Sequence, residues 1–309
     1  MMDPLVSVII PAYNASCFIR QAIESVFLQT YRPVETIVVD DGSTDRTPNI
    51  LLSFGKHIQC LRQENKGPAS ARNLALSIAK GQYITFLDAD DEIMPEKLEK
   101  QVEILETSPA IGWTYCDVEY VDREGRHMCL ASNRFSYSSR ARLNGLLFSE
   151  LLQGNFIPVH APLVRRDCLY SVAPFDEDKQ LIGVEDWDLL LRLALRFHAT
   201  YSPEVLAKCV LHSASLSANP QVRDDRRFCL LNKTISVYKD EIEALGITGR
   251  KIAADTHNWF AYRHIDSGQR REALRRLTLS VTTYPLQRHA LWVFVVTLIQ
   301  VLQSHLLRR

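Results

Sequence analysis

"YITFLDADDEIMP" (residues 83–95) carries an apolar run straight into Asp88, Asp90, Asp91 and Glu92 before Pro95 closes it. A short continuous apolar run of this kind reads as a strand buried on both faces. Carboxylates crowded at its end repel one another, and each has to stay solvated or find a positive partner. Positive charge is therefore expected beside residues 88–92.

The same strand pattern occurs three times upstream, in "LVSVII" (5–10), "VETIVVD" (34–40) and "HIQCLRQ" (57–63). Between these runs lie "ASCFIRQAIESVFLQ" (15–29), "DRTPNILLSF" (45–54) and "PASARNLALSIAKG" (68–81), whose apolar residues recur at helical spacing. The resulting βαβαβαβ order predicts an α/β fold with a mostly parallel, Rossmann-like sheet flanked by helices. Residues 112–165 are less regular, with strands expected near "WTYCDVEYV" and "PVHAPLVRR", a helix near "LLFSELLQG" and a polar stretch "NRFSYSSRAR". An apolar-faced helix, "GVEDWDLLLRLALRF", and a strand, "EVLAKCVLH", follow. Beyond Pro220 the pattern is almost wholly helical, so the expected division is 1–220 and a helical region 221–309.

Lys and Arg (36) balance Asp and Glu (36), which leaves no global electrostatic footprint for nucleic acid. The seven cysteines show no CxxC spacing and suit a reducing compartment. The N-terminal "VSVII" is shorter than a signal-peptide core and lacks basic residues before it, so a cytoplasmic location is expected.

In a parallel α/β sheet, ligands collect beyond the carboxyl ends of the strands. Three strands end in polar clusters, which gathers Pro11 to Asn14, Asp40 to Asp45 and Asp88 to Asp91 at one crevice if the strands are neighbours. Helix capping accounts for Ser43 and Asp45 but leaves the Asp40-Asp41 pair and the third cluster unexplained. Asp88 and Asp90, alternating on an extended strand end, offer the hard oxygen ligands that Mg or Mn prefers. There is neither GxGxxG nor GxxxxGK[ST], so phosphate has to be read otherwise. "NKGPASARNLA" supplies Lys66, Arg72 and a helix N-terminus for that purpose, although Lys66 reads equally well as part of a solvated basic turn. Glu185 and Asp186 open an apolar helix, where acids also favour the dipole, and His212 follows a strand.

"SVIIPAYN", "ETIVVDDGSTDRT", "NKGPASARN", "ITFLDADDEIMP", "VEDWDLLLRLA" and "LHSASLSA" together resemble, in order and separation, the motifs of family 2 glycosyltransferases with the GT-A fold, over residues 5 to about 218. The resemblance implies a catalytic domain at 1–220, with 1–110 binding a nucleotide-sugar donor and 111–220 facing the acceptor. It implies Pro11, Ala12 and Tyr13 against the nucleoside, Asp41 on the nucleobase, and Arg72 on the base or diphosphate. Asp88 and Asp90 match the DxD motif for a divalent ion, Mn or Mg, with Asp91 as an outer partner and His212 completing the metal or diphosphate site. Asp186 matches the catalytic base of an inverting transfer, with Glu185 beside it in the donor site. Cys209 and Val210 stand where the family often has Tyr-Arg, and no QxxRW motif is present. The expected reaction is transfer of one sugar to a glycan or lipid-linked acceptor, as in polysaccharide or glycoconjugate synthesis. A nucleotidyltransferase using the same carboxylates, or a non-catalytic sugar-nucleotide binder, is the alternative.

The tail is read from composition. Between Gly249 and Arg309 ten Lys and Arg face three acids, and "ALWVFVVTLIQVL" is apolar but shorter than the roughly 20 residues a spanning helix needs. Two readings stand: a helix packed on the catalytic domain or a homodimer partner, or one lying in the cytoplasmic membrane interface with Trp292 and Phe294 inserted.

Overall fold

The structure, a computed structural model, describes residues 3–134, 143–212, 220–266, 268–285 and 291–298. Most of the polar stretch "NRFSYSSRAR", the residues of "LHSASLSA" after His212 and the end of the tail helix lie outside them. The chain divides into two compact units, Met1–Asn219 and Pro220–Arg309.

The first unit runs β1 (Val6–Ala12), α1 (Ile19–Phe27), β2 (Val34–Asp40), α2 (Thr47–Ser53), β3 (Gln59–Arg62), α3 (Pro68–Leu76) and β4 (Tyr83–Phe86). It continues through β5 (Glu92–Ile93), α4 (Lys97–Thr107), β6 (Ile111–Val121), β7 (His127–Leu130), α5 (Ala131–Arg134) and α6 (Phe148–Leu151). β8 (Pro162–Arg165), α7 (Arg166–Ser171), α8 (Glu185–Arg196) and β9 (His198–Val210) complete it. The first four strands follow the βαβαβαβ order of the sequence reading and pair in parallel as β3-β2-β1-β4. The apolar runs drive this: Val6, Val8, Ile9, Ile10, Ile37, Val38, Val39 and Ile84 are completely buried. Each such side chain contributes about 1.5–3 kcal/mol relative to exposure. β3 departs from its expected burial, because it forms the sheet edge and its residues are mostly exposed.

Beyond β4 the sheet is mixed, continuing β8-β6-β9-β5, with β7 paired to β6. β8 is antiparallel to both β4 and β6, while β9 is parallel to β6. The ends of β1, β2, β4 and β9 therefore come to the same edge, and so does the beginning of β8. That reversal brings a residue from before a strand into a crevice otherwise built from residues after strands.

The second unit consists of α9 (Pro220–Val237), α10 (Lys239–Ala244), α11 (Gly249–Asp266), α12 (Arg270–Thr283) and a further helical stretch at 291–298. Ala254, Phe260, Ala261, Ala273 and Leu277 are buried, and Ser280 Oγ donates to the Ala254 carbonyl at 3.0 Å. Arg227 and Arg263 place their guanidinium carbons 4.3 and 4.8 Å from the Trp259 ring centroid. Among the described residues no helix is long and apolar enough to cross a membrane.

Candidate active site

At the carboxyl edge, the loops after β1 and β2 are stapled together. Asn14, in the left-handed region at φ 48°, accepts from Thr44 N at 2.9 Å through Oδ1, while its own amide donates to Ser43 Oγ at 3.0 Å. Asp45 accepts from Thr47 N at 2.9 Å and from Ser16 N at 3.1 Å. Helix capping does not describe Ser43, which staples the β1 loop, and the residue directly before α2 is Arg46 with no side-chain cap. Asp45 meets the first amide of α2 and, through Ser16 N, the same β1 loop. Pro11 is half-buried, Ala12 is buried, and Tyr13 stands 49% exposed at the mouth.

Asp41 is buried and accepts from Gln63 Nε2 at 2.7 Å, Lys66 N at 2.9 Å and Gly67 N at 2.8 Å. The amides that lead into α3 are therefore already satisfied by a protein carboxylate at a favourable helix end. Gly42 makes the close turn before this loop: it has φ +77°, and a Cβ there would lie 2.9 Å from Asn65 N. The Lys66 side chain is exposed.

Of the acids after β4, Asp88 has a fixed cation beside it, Arg72, while Asp90 and Asp91 each face a histidine ring. Asp88 Oδ1 is 2.6 Å from Arg72 Nη2, Asp90 Oδ2 is 2.7 Å from His212 Nε2, and Asp91 Oδ2 is 2.9 Å from His160 Nδ1. Oxygens of Asp88, Asp90 and Asp91 all lie within 4.8 Å of one another. An all-carboxylate set of this spacing fits a hard divalent ion. Burial, reinforced by Asp91 and Asp88, pushes the Asp90 carboxyl up to about 6 against the opposing His212 contact. Burial also raises Asp88, opposed by Arg72 and reinforced by Asp91. The cluster is thus short of positive charge even with its partners in place.

His212 stacks on Phe18, ring centroids 4.7 Å apart at an interplanar angle of 13°. Asp91 is 4% exposed, and its Oδ1 accepts from Val210 N at 2.9 Å. Its oxygens face inward to the protein, which gives it a supporting place behind Asp88 and Asp90.

Arg72 links the acids to the start of α8. It is 3% exposed, and its Nη1 donates to Glu185 Oε1 at 2.7 Å while Nη2 holds Asp88. The resemblance puts Arg72 on the base or diphosphate, whereas here both terminal nitrogens meet protein carboxylates. Glu185 also accepts from Gly183 N. Asp186, next in the chain, accepts from Trp187 N at 2.8 Å and Asn155 Nδ2 at 3.2 Å. Burial and the neighbouring Glu185 push its carboxyl up to about 7, against the pull of Arg72.

One residue of this site, His160, is absent from the sequence reading, and Cys209 entered it only as a departure from the family pattern. His160 reaches the crevice because β8 begins there, and a lone histidine before a reversed strand gives no local signal. Cys209, next to Val210, lies close enough to Asp91, Asp90 and Asp88 for burial and those charges to push its thiol well above its ordinary range.

Comparison with known proteins is consistent with this arrangement. The description "Glycosyl transferase family 2" matches residues 7–167. An uncharacterized glycosyltransferase of Rickettsia typhi is 34% identical over 218 residues, covering 69% of this chain and 65% of that protein. The chain thus spans slightly less than two thirds of that relative's length. S. aureus TarS 1–349 in complex with UDP-GlcNAc superposes with a TM-score of 0.62 at 18% identity, over 90% of this chain and 81% of that one. The mannosyltransferase PcManGT from Pyrobaculum calidifontis, in complex with GDP-Man and Mn2+, does so with a TM-score of 0.60 at 20% identity, over 96% and 81%. The two structures share the fold, a GT-A-type α/β sheet with flanking helices, and the match over residues 7–167 spans the strand-end clusters that form this crevice. The chain belongs to glycosyl transferase family 2.

Proposed function

We propose that this protein transfers a single sugar, with inversion, from a nucleotide-sugar donor to a hydroxyl of a glycan or lipid-linked acceptor. The observation that carries this reading is the pairing of a three-carboxylate cluster, within 4.8 Å, with a buried Arg72 that joins it to the start of the Asp186 helix. Residues 1–110 hold the donor and 111–220 face the acceptor. Pro11, Ala12 and Tyr13 flank the nucleoside, Asp41 orders the loop at the base, and Lys66 reaches phosphate from its exposed position. The solved relatives hold UDP-GlcNAc in one case and GDP-Man with Mn2+ in the other, which supports a nucleotide-sugar and a divalent ion here.

Asp88 and Asp90 are the residues that hold Mn or Mg, with Asp91 and His212 behind or beside them. When bound, the ion offsets negative charge developing on the departing diphosphate. Asp186 does the proton work. As the acceptor oxygen attacks the anomeric carbon, its proton passes to the Asp186 carboxylate, and the bond from that carbon to the diphosphate oxygen breaks with its electron pair. An acid raised to about 7 is well matched to accepting a proton near neutral pH. Arg72 and Glu185 keep this base and the acid cluster in one rigid geometry, and alignment of donor and acceptor supplies much of the acceleration.

The 291–298 helix shows Leu291, Trp292 and Val295 at 46%, 63% and 46% exposure, and Arg270, Arg271 and Arg275 of α12 are exposed. This combination supports a tail that rests on an anionic lipid surface.

Incubation of the full-length protein with Mn2+ and UDP-, GDP- and dTDP-sugars tests the reaction by nucleoside diphosphate release. Release from one sugar nucleotide, with the sugar recovered on an acceptor or as free sugar, is expected. Pyrophosphate release from a nucleoside triphosphate, with no sugar nucleotide consumed, favours nucleotidyl transfer instead.

A further inference from the structure

His160 sits in a turn closed by Ala161 N on the Pro158 carbonyl at 2.9 Å, directly before β8. It is 1% exposed, with Nδ1 2.9 Å from Asp91 Oδ2. That approach falls outside hydrogen-bond alignment, so it is a close polar contact, and Nε2 has no hydrogen-bond partner among the described residues. A buried imidazole without an aligned hydrogen bond costs free energy, and the turn that carries it is fixed through its backbone by neighbouring side chains.

Those neighbours hold the turn from beneath. Gln101 Nε2 donates to the Ala161 carbonyl at 2.9 Å and Thr85 Oγ1 to the Pro162 carbonyl at 2.7 Å. Lys97 Nζ, fully buried, donates to Gln101 Oε1 at 2.7 Å and Thr85 Oγ1 at 3.2 Å. Asp91, in contact with His160, in turn accepts from Val210 N at the end of β9 at 2.9 Å. Two residues later His212 meets Asp90 at 2.7 Å. The contacts therefore run without a break from α4 and β4, through His160 and Asp91, to the strand end that presents His212 to Asp90.

We propose that His160 is a positioning residue for the divalent-ion site, fixing Asp91 and through it the geometry of Asp90 and His212. The inference rests on the metal reading of the acid cluster given above. Outer carboxylate and imidazole partners of this kind change metal affinity by about 10–100-fold when removed.

The test uses the full-length protein and Mn2+ itself, titrated alone and with UDP or GDP, with free Mn2+ followed by electron paramagnetic resonance. Thermal melting of each variant checks that it folds. His160→Ala is expected to bind Mn2+ about 10–100-fold more weakly than wild type. His160→Asn, which puts an amide N–H near the Nδ1 position, is expected to recover most of that loss. If the wild type takes up no Mn2+ under any of these conditions, the metal reading fails and this inference with it. If the wild type binds but folded His160→Ala matches it within about twofold, or folded His160→Asn is as weak as His160→Ala, the inference alone is overturned.

Discussion

Arg72 Nη1 and Glu185 Oε1 meet at 2.7 Å across 113 residues of chain, with both side chains at or below 5% exposure. The second terminal nitrogen of Arg72 holds Asp88, so one guanidinium ties the end of β4 to the start of α8. Removing one partner of a buried ionic group leaves the others uncompensated. Arg72→Met is therefore expected to destabilise the fold by about 3–5 kcal/mol, and Arg72→Lys to restore little, because a point charge cannot serve two diverging carboxylates. Urea unfolding of the variants checks both statements.

Asp186→Asn should keep donor affinity near wild type while lowering turnover by about 10²–10⁴-fold, the scale for losing a positioned general base. The carboxyl is raised to about 7 by burial and Glu185, so it is protonated, and unable to accept a proton, below that pH. The kcat/KM of the wild type should accordingly rise with pH through about 7, and this limb should vanish in Asp186→Asn. A pH profile of kcat/KM, which reports groups of the ligand-free enzyme, reads the difference between the two proteins. Asp186→Asn turning over at the wild-type rate would move the base elsewhere.

Burial holds Lys97 down to about 8, from an ordinary 10.5, and its two recorded contacts match the two N–H donors of a neutral amine. Between these values the unfolded chain carries a proton that the folded chain lacks, so stability from this group rises with pH across the window. The gain is at most about 3 kcal/mol. The stability difference between wild type and Lys97→Met, measured by denaturant melts from pH 8 to pH 10.5, should grow in favour of wild type. A flat difference would mean that Lys97 stays charged inside the protein.

The strand ends after β1, β2 and β4 were legible in the sequence because each apolar run stops at a polar cluster, and parallel pairing brings such ends together. Asp88, Asp90 and Asp91 could be grouped on that basis, His212 was joined to them by the resemblance alone, and the four meet in the structure. The partner of Arg72 was not legible. Its residue type suggested phosphate, but the burial that turns it toward Glu185 depends on how α3 packs against a helix more than a hundred residues later. His160 was hidden for a different reason: β8 runs against its neighbours, so the informative residue precedes the strand. In the mixed half of the sheet β6, β8 and β9 were legible as strands but not as pairings, since periodicity carries no direction, and the short β5 and β7 were not read as strands at all.

The full-length protein should sediment with vesicles containing anionic lipid at low ionic strength, and less with neutral vesicles. A chain ending before Arg288 should lose this binding while keeping donor affinity. Full-length protein remaining in the supernatant would assign the tail to protein packing.

The most direct test of the central claim is the melting temperature of the full-length protein with UDP, GDP and dTDP, each with and without Mn2+, for wild type and Asp90→Asn. Ligands that bind only the folded state raise its melting temperature. The account predicts that at least one nucleoside diphosphate stabilises the wild type only when Mn2+ is present, and that Asp90→Asn, folded but without a metal-holding oxygen, loses the shift. Absence of any Mn2+-dependent shift in folded wild type, or an undiminished shift in Asp90→Asn, would contradict it.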